Sequence, residues 1–112
     1  MRIVVACALA WTLAACATNP PQATEQERSE AMAALDACLH AAARKLDDGR
    51  SEASTIALGL RPLCAAEFVR SRDVFGRHLN PVARQMYDQK EQAAFIQIAT
   101  AVVLDERAKR HQ

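Results

Sequence analysis

A single polar turn, Asp47 to Arg50, divides two long stretches of helical apolar periodicity near the middle of this 112-residue chain. Apolar residues at three- and four-residue spacing share one face of an α-helix, and that face must be covered by another element. Gly49 suits the left-handed conformation in which many helices end. The sequence therefore predicts an antiparallel helical hairpin that turns at these four residues.

The first arm of the hairpin is expected to begin at Thr24 or Glu25 and to end at about Leu46. Thr24 is followed three residues later by Glu27, which is the spacing of a capping box. Acidic residues come early in this segment and basic residues come late, as the helix dipole favours. The predicted core face consists of Met32, Leu35, Leu39, Ala42 and Leu46.

The second arm is predicted to begin with Ser51 or Ser54 as its cap and to end between Gly76 and Leu79. Pro62 lies inside the helical pattern and should kink this helix, because proline removes one backbone hydrogen bond and crowds the preceding turn. The apolar stripe of the second arm comprises Ala53, Ile56, Ala57, Leu60, Leu63, Cys64, Phe68, Val74 and Phe75.

A third helix should begin at Asn80-Pro81, where asparagine caps and proline takes the first helical position. Its first part places Val82 and Met86, with Tyr87, on one side, and its second part places apolar residues on nearly the opposite side. A straight helix cannot bury both sides against one hairpin. Either the chain bends between residues 88 and 92, or one side meets a partner.

The second side of this helix is the candidate interface. It spans a wider arc than the ~100° stripe that covers one core. We expect it either to self-associate or to dock on another protein, with a bent, self-contained domain as the alternative. Both alternatives belong to one fold class, an all-α, small three-helix bundle built on the hairpin. The candidate interface residues are Phe95, Ile96, Ile98, Val102 and Val103.

The first sixteen residues have the pattern of an export signal. Arg2 precedes an apolar run from Ile3 to Leu13, which is too short to cross a bilayer. Residues 13–16 read Leu-Ala-Ala-Cys and resemble the lipobox of bacterial lipoproteins. The resemblance implies cleavage before Cys16 and a lipid on its sulfur. The alternative is an ordinary signal-peptidase site at residues 15–17, which would release an unlipidated product.

The resemblance also implies a domain organisation and a location. Residues 1–15 form the signal peptide that is removed, residues 16–23 form a lipidated cysteine with a proline-containing tether, and residues 24–112 form the helical domain. Ala17 follows the lipidated cysteine, and by the rule for lipoprotein sorting this favours the outer membrane over the inner one. The expected location is the cell envelope, on the periplasmic side of the outer membrane.

The lipoprotein resemblance implies that Cys7 is removed and Cys16 is lipidated, which leaves Cys38 and Cys64. A remaining pair in an exported chain indicates a disulfide. Both cysteines lie ~15–20 Å from the predicted turn at ~1.5 Å per residue, so the hairpin would bring them side by side. A redox pair is a weaker alternative, because catalytic thiols usually have C-x-x-C spacing at a helix start.

A metal site is the other alternative for these cysteines, with His40 as a third ligand for zinc or copper. His40 lies four residues from both Asp36 and Arg44 on the polar face of the first helix. This row is better interpreted as a solvated series of weak charge contacts. We predict no metal and no cofactor.

Basic residues outnumber acidic ones in the middle of the chain. They could contact anionic envelope material, although charges balanced elsewhere in the fold are the favoured interpretation. The chain as a whole has 14 Lys and Arg against 13 Asp and Glu, so nucleic acid is not an expected partner. The candidate anion contacts are Arg70, Arg72, Arg77 and Arg84.

Nothing in the sequence indicates catalysis. Asp47 and Asp48 are adjacent in a turn without groups that would desolvate them, and neither Ser51 nor Ser54 has a histidine at a recognisable spacing. The expected function is a membrane-anchored envelope lipoprotein with a non-enzymatic structural or interaction role. The alternative is a periplasmic ligand- or enzyme-binding module, an inhibitor or a sensor, that uses the arginine-rich face.

Overall fold

The computed structural model describes residues 20–112 and is all-helical over that range, without a strand. Residue 16 and the proposed signal peptide lie outside the described residues. The prediction of three helices undercounts by one, because the second predicted helix is two helices. The four helices are α1 (Glu25–Leu46), α2 (Ala53–Leu63), α3 (Ala65–Gly76) and α4 (Pro81–Arg110).

The start of α1 is the predicted capping box. The Thr24 hydroxyl accepts a hydrogen bond from the Glu27 N–H at 3.1 Å, and the Glu27 carboxylate accepts one from the Thr24 N–H at 2.7 Å. Two of the backbone donors that a helix start leaves without partners are thereby satisfied. This local chemistry explains why the predicted helix start is confirmed.

The turn after α1 contains Gly49 with a φ of 70°, as its sequence indicates. The prediction that Ser51 or Ser54 caps α2 is wrong. Glu52 stands at the cap position without a side-chain hydrogen bond. Asp48 organises the turn instead, because its carboxylate accepts hydrogen bonds from the Ser51 N–H at 2.8 Å and the Ser51 hydroxyl at 2.7 Å.

The predicted kink at Pro62 is a break between α2 and α3. Cys64 leaves the helical conformation, with φ −111° and ψ 23°, and α3 begins at the next residue. Proline cannot donate a backbone hydrogen bond, so the ladder is already weakened at this point. The Cys64 N–H still donates to the Leu60 carbonyl at 3.0 Å, and the Cys64 carbonyl accepts from Phe68 at 3.0 Å. The two helices therefore follow one another closely.

Cys38 on α1 and Cys64 at the break form the predicted disulfide. Their Cα atoms are 5.9 Å apart, within the usual range for such a bridge. Because both thiols are used by the bridge, neither a redox dithiol nor a thiolate metal site exists in this state of the protein. The bridge fixes α1 beside the junction of α2 and α3.

Helix α4 runs from Pro81 to Arg110 without a break, including the stretch from 88 to 92 where a bend was one of the two alternatives. It begins as expected, with the Asn80 side chain accepting a hydrogen bond from the Ala83 N–H at 2.9 Å and Pro81 in the first position. The two apolar sides of α4 are not both buried, because the side that carries Val82 and Met86 is exposed to solvent. Within the described residues, none of the helices is both long enough and apolar enough to span a membrane.

The main core lies where α1, α2, α3 and α4 meet. Alanines on three of the helices allow close approach, and larger side chains fill the centre. Phe68 and Phe95 pack edge to face with ring centroids 4.9 Å apart, an arrangement that aromatic pairs favour. Met32 and Leu46 were predicted to be core and are instead exposed. The largest fully buried side chains are Leu39, Leu60, Cys64, Phe95 and Val103.

The end of α4 is tied to the first turn by a buried carboxylate. The Asp47 side chain has no exposed area. Arg107 donates three hydrogen bonds to it, at 2.8, 3.0 and 3.3 Å, and Arg110 also pairs with it. The Gly49 N–H donates to the same carboxylate at 3.0 Å. A buried charge requires this kind of complete pairing, so the turn and the C-terminal end of α4 are held as one unit.

Candidate functional site: an apolar groove between three helices

A small apolar groove opens between α1, α3 and α4. Its floor is core, and its two opposing walls are the exposed side chains of Met32 on α1 and Ile98 on α4, which are 50% and 46% exposed. Its volume is about 90 Å³. Concave, largely apolar surfaces with a few polar groups are the usual form of binding sites. The floor is lined by Leu35, Leu39, Phe68 and Phe95.

Three polar side chains complete the groove. Asp36 on α1 and Glu91 on α4 bring carboxylates to it, and Ser71 on α3 directs its hydroxyl to the Met32 sulfur at 3.8 Å. Asp36 has His40 as a neighbour, with 3.4 Å between the Asp36 Oδ1 and His40 Nε2 atoms. Within residues 20–112, Glu91 forms no ion pair. The groove therefore combines an apolar interior with negative charge.

The five predicted interface residues differ in burial. Phe95, Val102 and Val103 are buried in the protein's own core, so they are not exposed to a partner in this conformation. Ile96 is partly buried and packs against that core. Ile98 alone of the five is exposed, and it is the side chain that forms a wall of the groove. The wide apolar arc is mostly covered because α2 and α1 both pack on α4.

The four predicted anion-contact arginines each have a carboxylate partner. Arg70 and Arg72 connect α3 to α1 and to α4, and Arg77, just after α3, pairs with α1. Arg84 pairs with Asp88 of its own helix and with Asp73 of α3 at 3.5 Å. Arg72 also lies over the Phe68 ring, with its guanidinium carbon 5.0 Å from the centroid. This pairing favours the interpretation in which the charges are balanced within the fold. The nitrogen–oxygen distances are 4.0 Å for Arg70–Glu30, 3.6 Å for Arg72–Asp88, 3.1 Å for Arg77–Glu27 and 3.0 Å for Arg84–Asp88.

A second, more open cavity is also lined by Phe68. Its volume is about 200 Å³, and Arg61 and Arg72 provide its charged side chains. Arg61 lies over the Phe95 ring at 5.8 Å and Arg72 pairs with Asp88, so both guanidinium groups already have partners. This cavity offers a less enclosed surface than the apolar groove.

His40, predicted to lie in a solvated row, is instead part of a polar cluster between α1 and α4. Its Nδ1 atom donates to the buried carboxylate of Glu106 at 2.6 Å. Arg44 donates to the same oxygen at 3.1 Å, and Lys109 lies 3.4 Å from it. The hydrogen bond from His40 lowers the pKa of Glu106. The cluster therefore joins the two helices through charge-assisted hydrogen bonds.

The same cluster has the geometry to hold a metal ion. Donor atoms of His40, Asp105 and Glu106 all lie within 4.8 Å of one another. Glu106 already accepts from three donors, and Asp105 pairs with Lys109 at 2.7 Å. A metal would have to displace these cations, so the donor set is better suited to the ion pairs that it already forms.

Of the two groove walls, the sequence identified Ile98 as a candidate contact residue but not Met32. Met32 follows the helical spacing of the α1 core face, and nothing local distinguishes it from the buried Leu35. Asp36 and Glu91 are ordinary surface residues in the sequence. The sequence indicated Ile98 only because the apolar arc on α4 is wider than one core requires.

The comparisons with known proteins add no relative. No family model matches the chain, and neither a curated protein nor a solved structure matches it. The features of the chain that bear on its function are therefore the groove and the N-terminal sequence.

Proposed function

We propose that this chain is a small envelope lipoprotein, held to the membrane through a lipid on Cys16, that acts without catalysis by binding another envelope component. The apolar groove between Met32 and Ile98 is the contact site in this proposal, and it is the observation that carries the interaction role. The N-terminal resemblance to lipoproteins supports the location, with the outer membrane as the expected address.

The architecture is consistent with such a role. In this proposal α2 and α3 act together as one arm of a disulfide-linked hairpin, so that the domain behaves as a bundle of three arms. The disulfide, the Asp47 ion pairs and the capped helix starts hold the groove walls on rigid elements. Binding to a preformed surface avoids the cost of ordering flexible segments.

The location is tested by replacing the lipidated residue. The unaltered protein should partition into detergent and carry acyl mass, and Cys16→Ser should abolish both. Protein that partitions into buffer without acyl mass in its unaltered form would remove the membrane anchor from the proposal.

The interaction role is tested by crosslinking in intact cells. We expect the unaltered protein to yield a defined crosslinked product that Ile98→Glu removes and Leu104→Glu retains. Leu104 is the matched control, because it lies on the same helix and is 53% exposed but does not line the groove. A product that survives Ile98→Glu would place the contact elsewhere.

A further inference from the structure

The dimensions of the groove limit what can enter it. Cavities of ~150 Å³ hold a molecule of the size of benzene, so about 90 Å³ is suited to the end of one aliphatic side chain. Met32 and Ile98 would close over such a group from opposite helices, and the floor between them is apolar. Methionine adapts its shape to irregular apolar partners more readily than branched side chains do.

The charge of the groove limits its occupant further. The ionisable side chains that line it are Asp36 on α1 and Glu91 on α4, and α3 contributes none. His40 faces Asp36, whereas no cation within residues 20–112 pairs with Glu91. A neighbouring negative potential favours a cation in the occupant.

We propose that the groove binds a peptide segment of a partner protein, which inserts one aliphatic side chain between Met32 and Ile98 and places a Lys or Arg beside Asp36 and Glu91. The proposal rests on the interaction role above and names the chemistry of the partner. A helical segment satisfies it most simply, because an aliphatic residue and a basic residue three or four positions apart share one helix face.

The test begins with a displayed library of random peptides selected on the folded, disulfide-bonded domain. We expect enrichment of an aliphatic residue with a Lys or Arg at helical spacing. The most enriched peptide, fluorescently labelled, is then titrated against variants by anisotropy. Ile98→Glu should weaken binding more than tenfold and Glu91→Lys about tenfold, because the second change reverses the charge beside the bound cation.

Matched controls separate the groove from general surface effects. Leu104→Glu repeats the apolar-to-acidic change on the same helix, and Glu67→Lys repeats the charge reversal on α3 outside the groove. Both controls should retain the affinity of the unaltered domain. Circular dichroism melting verifies that each variant is folded, and Met32→Glu tests the opposite wall if Ile98→Glu fails to fold.

Three results would overturn the inference. Enriched peptides without basic residues, or affinity unchanged by Glu91→Lys, would remove the charge requirement. No enrichment would exclude a peptide segment as the occupant. A dimer in sedimentation that Ile98→Glu dissociates would make a second copy the occupant. Loss of the charge requirement and absence of enrichment both leave the in-cell crosslink of the proposed function unaffected. The two proposals can therefore fail separately.

Discussion

At the scale of single residues, Asp47 is a buried carboxylate that joins the first turn to the end of α4. It is fully buried, accepts hydrogen bonds from two arginines of α4 and from the Gly49 N–H, and lies at the turn where the hairpin reverses. Arg107 also donates to the Ser51 carbonyl at 2.6 Å. The planar guanidinium group of Arg107 donates to both Asp47 oxygens and to the Ser51 carbonyl at once, which the single ammonium group of a lysine could not do in the same geometry.

Replacing this carboxylate should destabilise the domain strongly. Asp47→Asn removes the charge that compensates Arg107, so we expect a loss of about 3 kcal/mol in the free energy of unfolding. Asp48→Asn is the matched control. Asp48 is exposed, and the amide oxygen of asparagine can still accept from the Ser51 N–H, so the loss should be clearly smaller. Urea unfolding at neutral pH measures both, and equal losses would contradict the account.

The same residue predicts a pH dependence. Hydrogen bonds from Arg107 lower the pKa of Asp47 below the ordinary value for aspartate. A lowered pKa in the folded state means that the unfolded state binds the proton more readily. The stabilisation is therefore complete above the ordinary aspartate pKa of ~3.9 and is lost as the pH falls below it.

This dependence is measured by unfolding the unaltered protein and Asp47→Asn at several pH values. The stability difference between them should be constant from pH ~7 to ~5 and should shrink as the pH falls below ~4. A difference that grows on acidification would have the wrong sign and would exclude the ionised carboxylate as the source of the stability.

At the scale of elements, the disulfide compensates for the interruption of the second arm. The bridge attaches Cys64, the residue at which α2 ends and α3 has not yet begun, to α1. The end of α2 and the start of α3 both depend on this residue for their position. The groove depends on it too, because Phe68 one turn later forms part of its floor.

Removing the disulfide should therefore lower the free energy of unfolding more than a surface substitution does. With a sequence separation of 26 between the two cysteines, the chain-entropy account predicts a loss of about 3.5 kcal/mol for a Cys38→Ala, Cys64→Ala double variant. Replacing both cysteines avoids a free thiol. The loss is measured by urea unfolding against the unaltered protein, with reduction of the unaltered protein as a second route to the same state. Two alkylatable cysteines in denatured, non-reduced protein would contradict the bridge.

The elements also show what the sequence could and could not predict. The starts of α1 and α4 were predictable, because Thr24 with Glu27, and Asn80 with Pro81, satisfy the backbone locally. The start of α2 was not, because Asp48 uses Ser51 within the turn instead of leaving it to cap the helix. The break at Cys64 required more than the presence of Pro62, since proline alone predicts only a kink.

At the scale of the whole molecule, contacts between residues far apart in the sequence determine both the packing of the helices and which residues line the groove. Asp47 and Arg107 are 60 positions apart, and no local pattern links them. The width of the apolar arc on α4 was visible in the sequence, but the sequence could not show which part of it α1 and α2 cover. The structure covers Phe95, Val102 and Val103 and leaves Ile98 exposed.

Because Phe95 is buried and Ile98 is exposed, substitutions at these two positions should differ in their effect on stability. Phe95→Ala removes a fully buried ring and should destabilise the domain by about 3–5 kcal/mol. Ile98→Glu changes an exposed position and should alter stability by under ~1 kcal/mol. Thermal melting of the two variants checks the difference. A collapse of the fold in Ile98→Glu would show that Ile98 is core, and the groove would lose one wall.

The claim that the groove is the functional contact is tested most directly by a photoreactive amino acid placed at position 98 or at position 104 of the full chain in intact cells. Both positions are about half exposed on α4, and only Ile98 lines the groove. The account predicts a defined crosslinked product from position 98 and none from position 104. Equal products from both positions, or a product from position 104 alone, would contradict it.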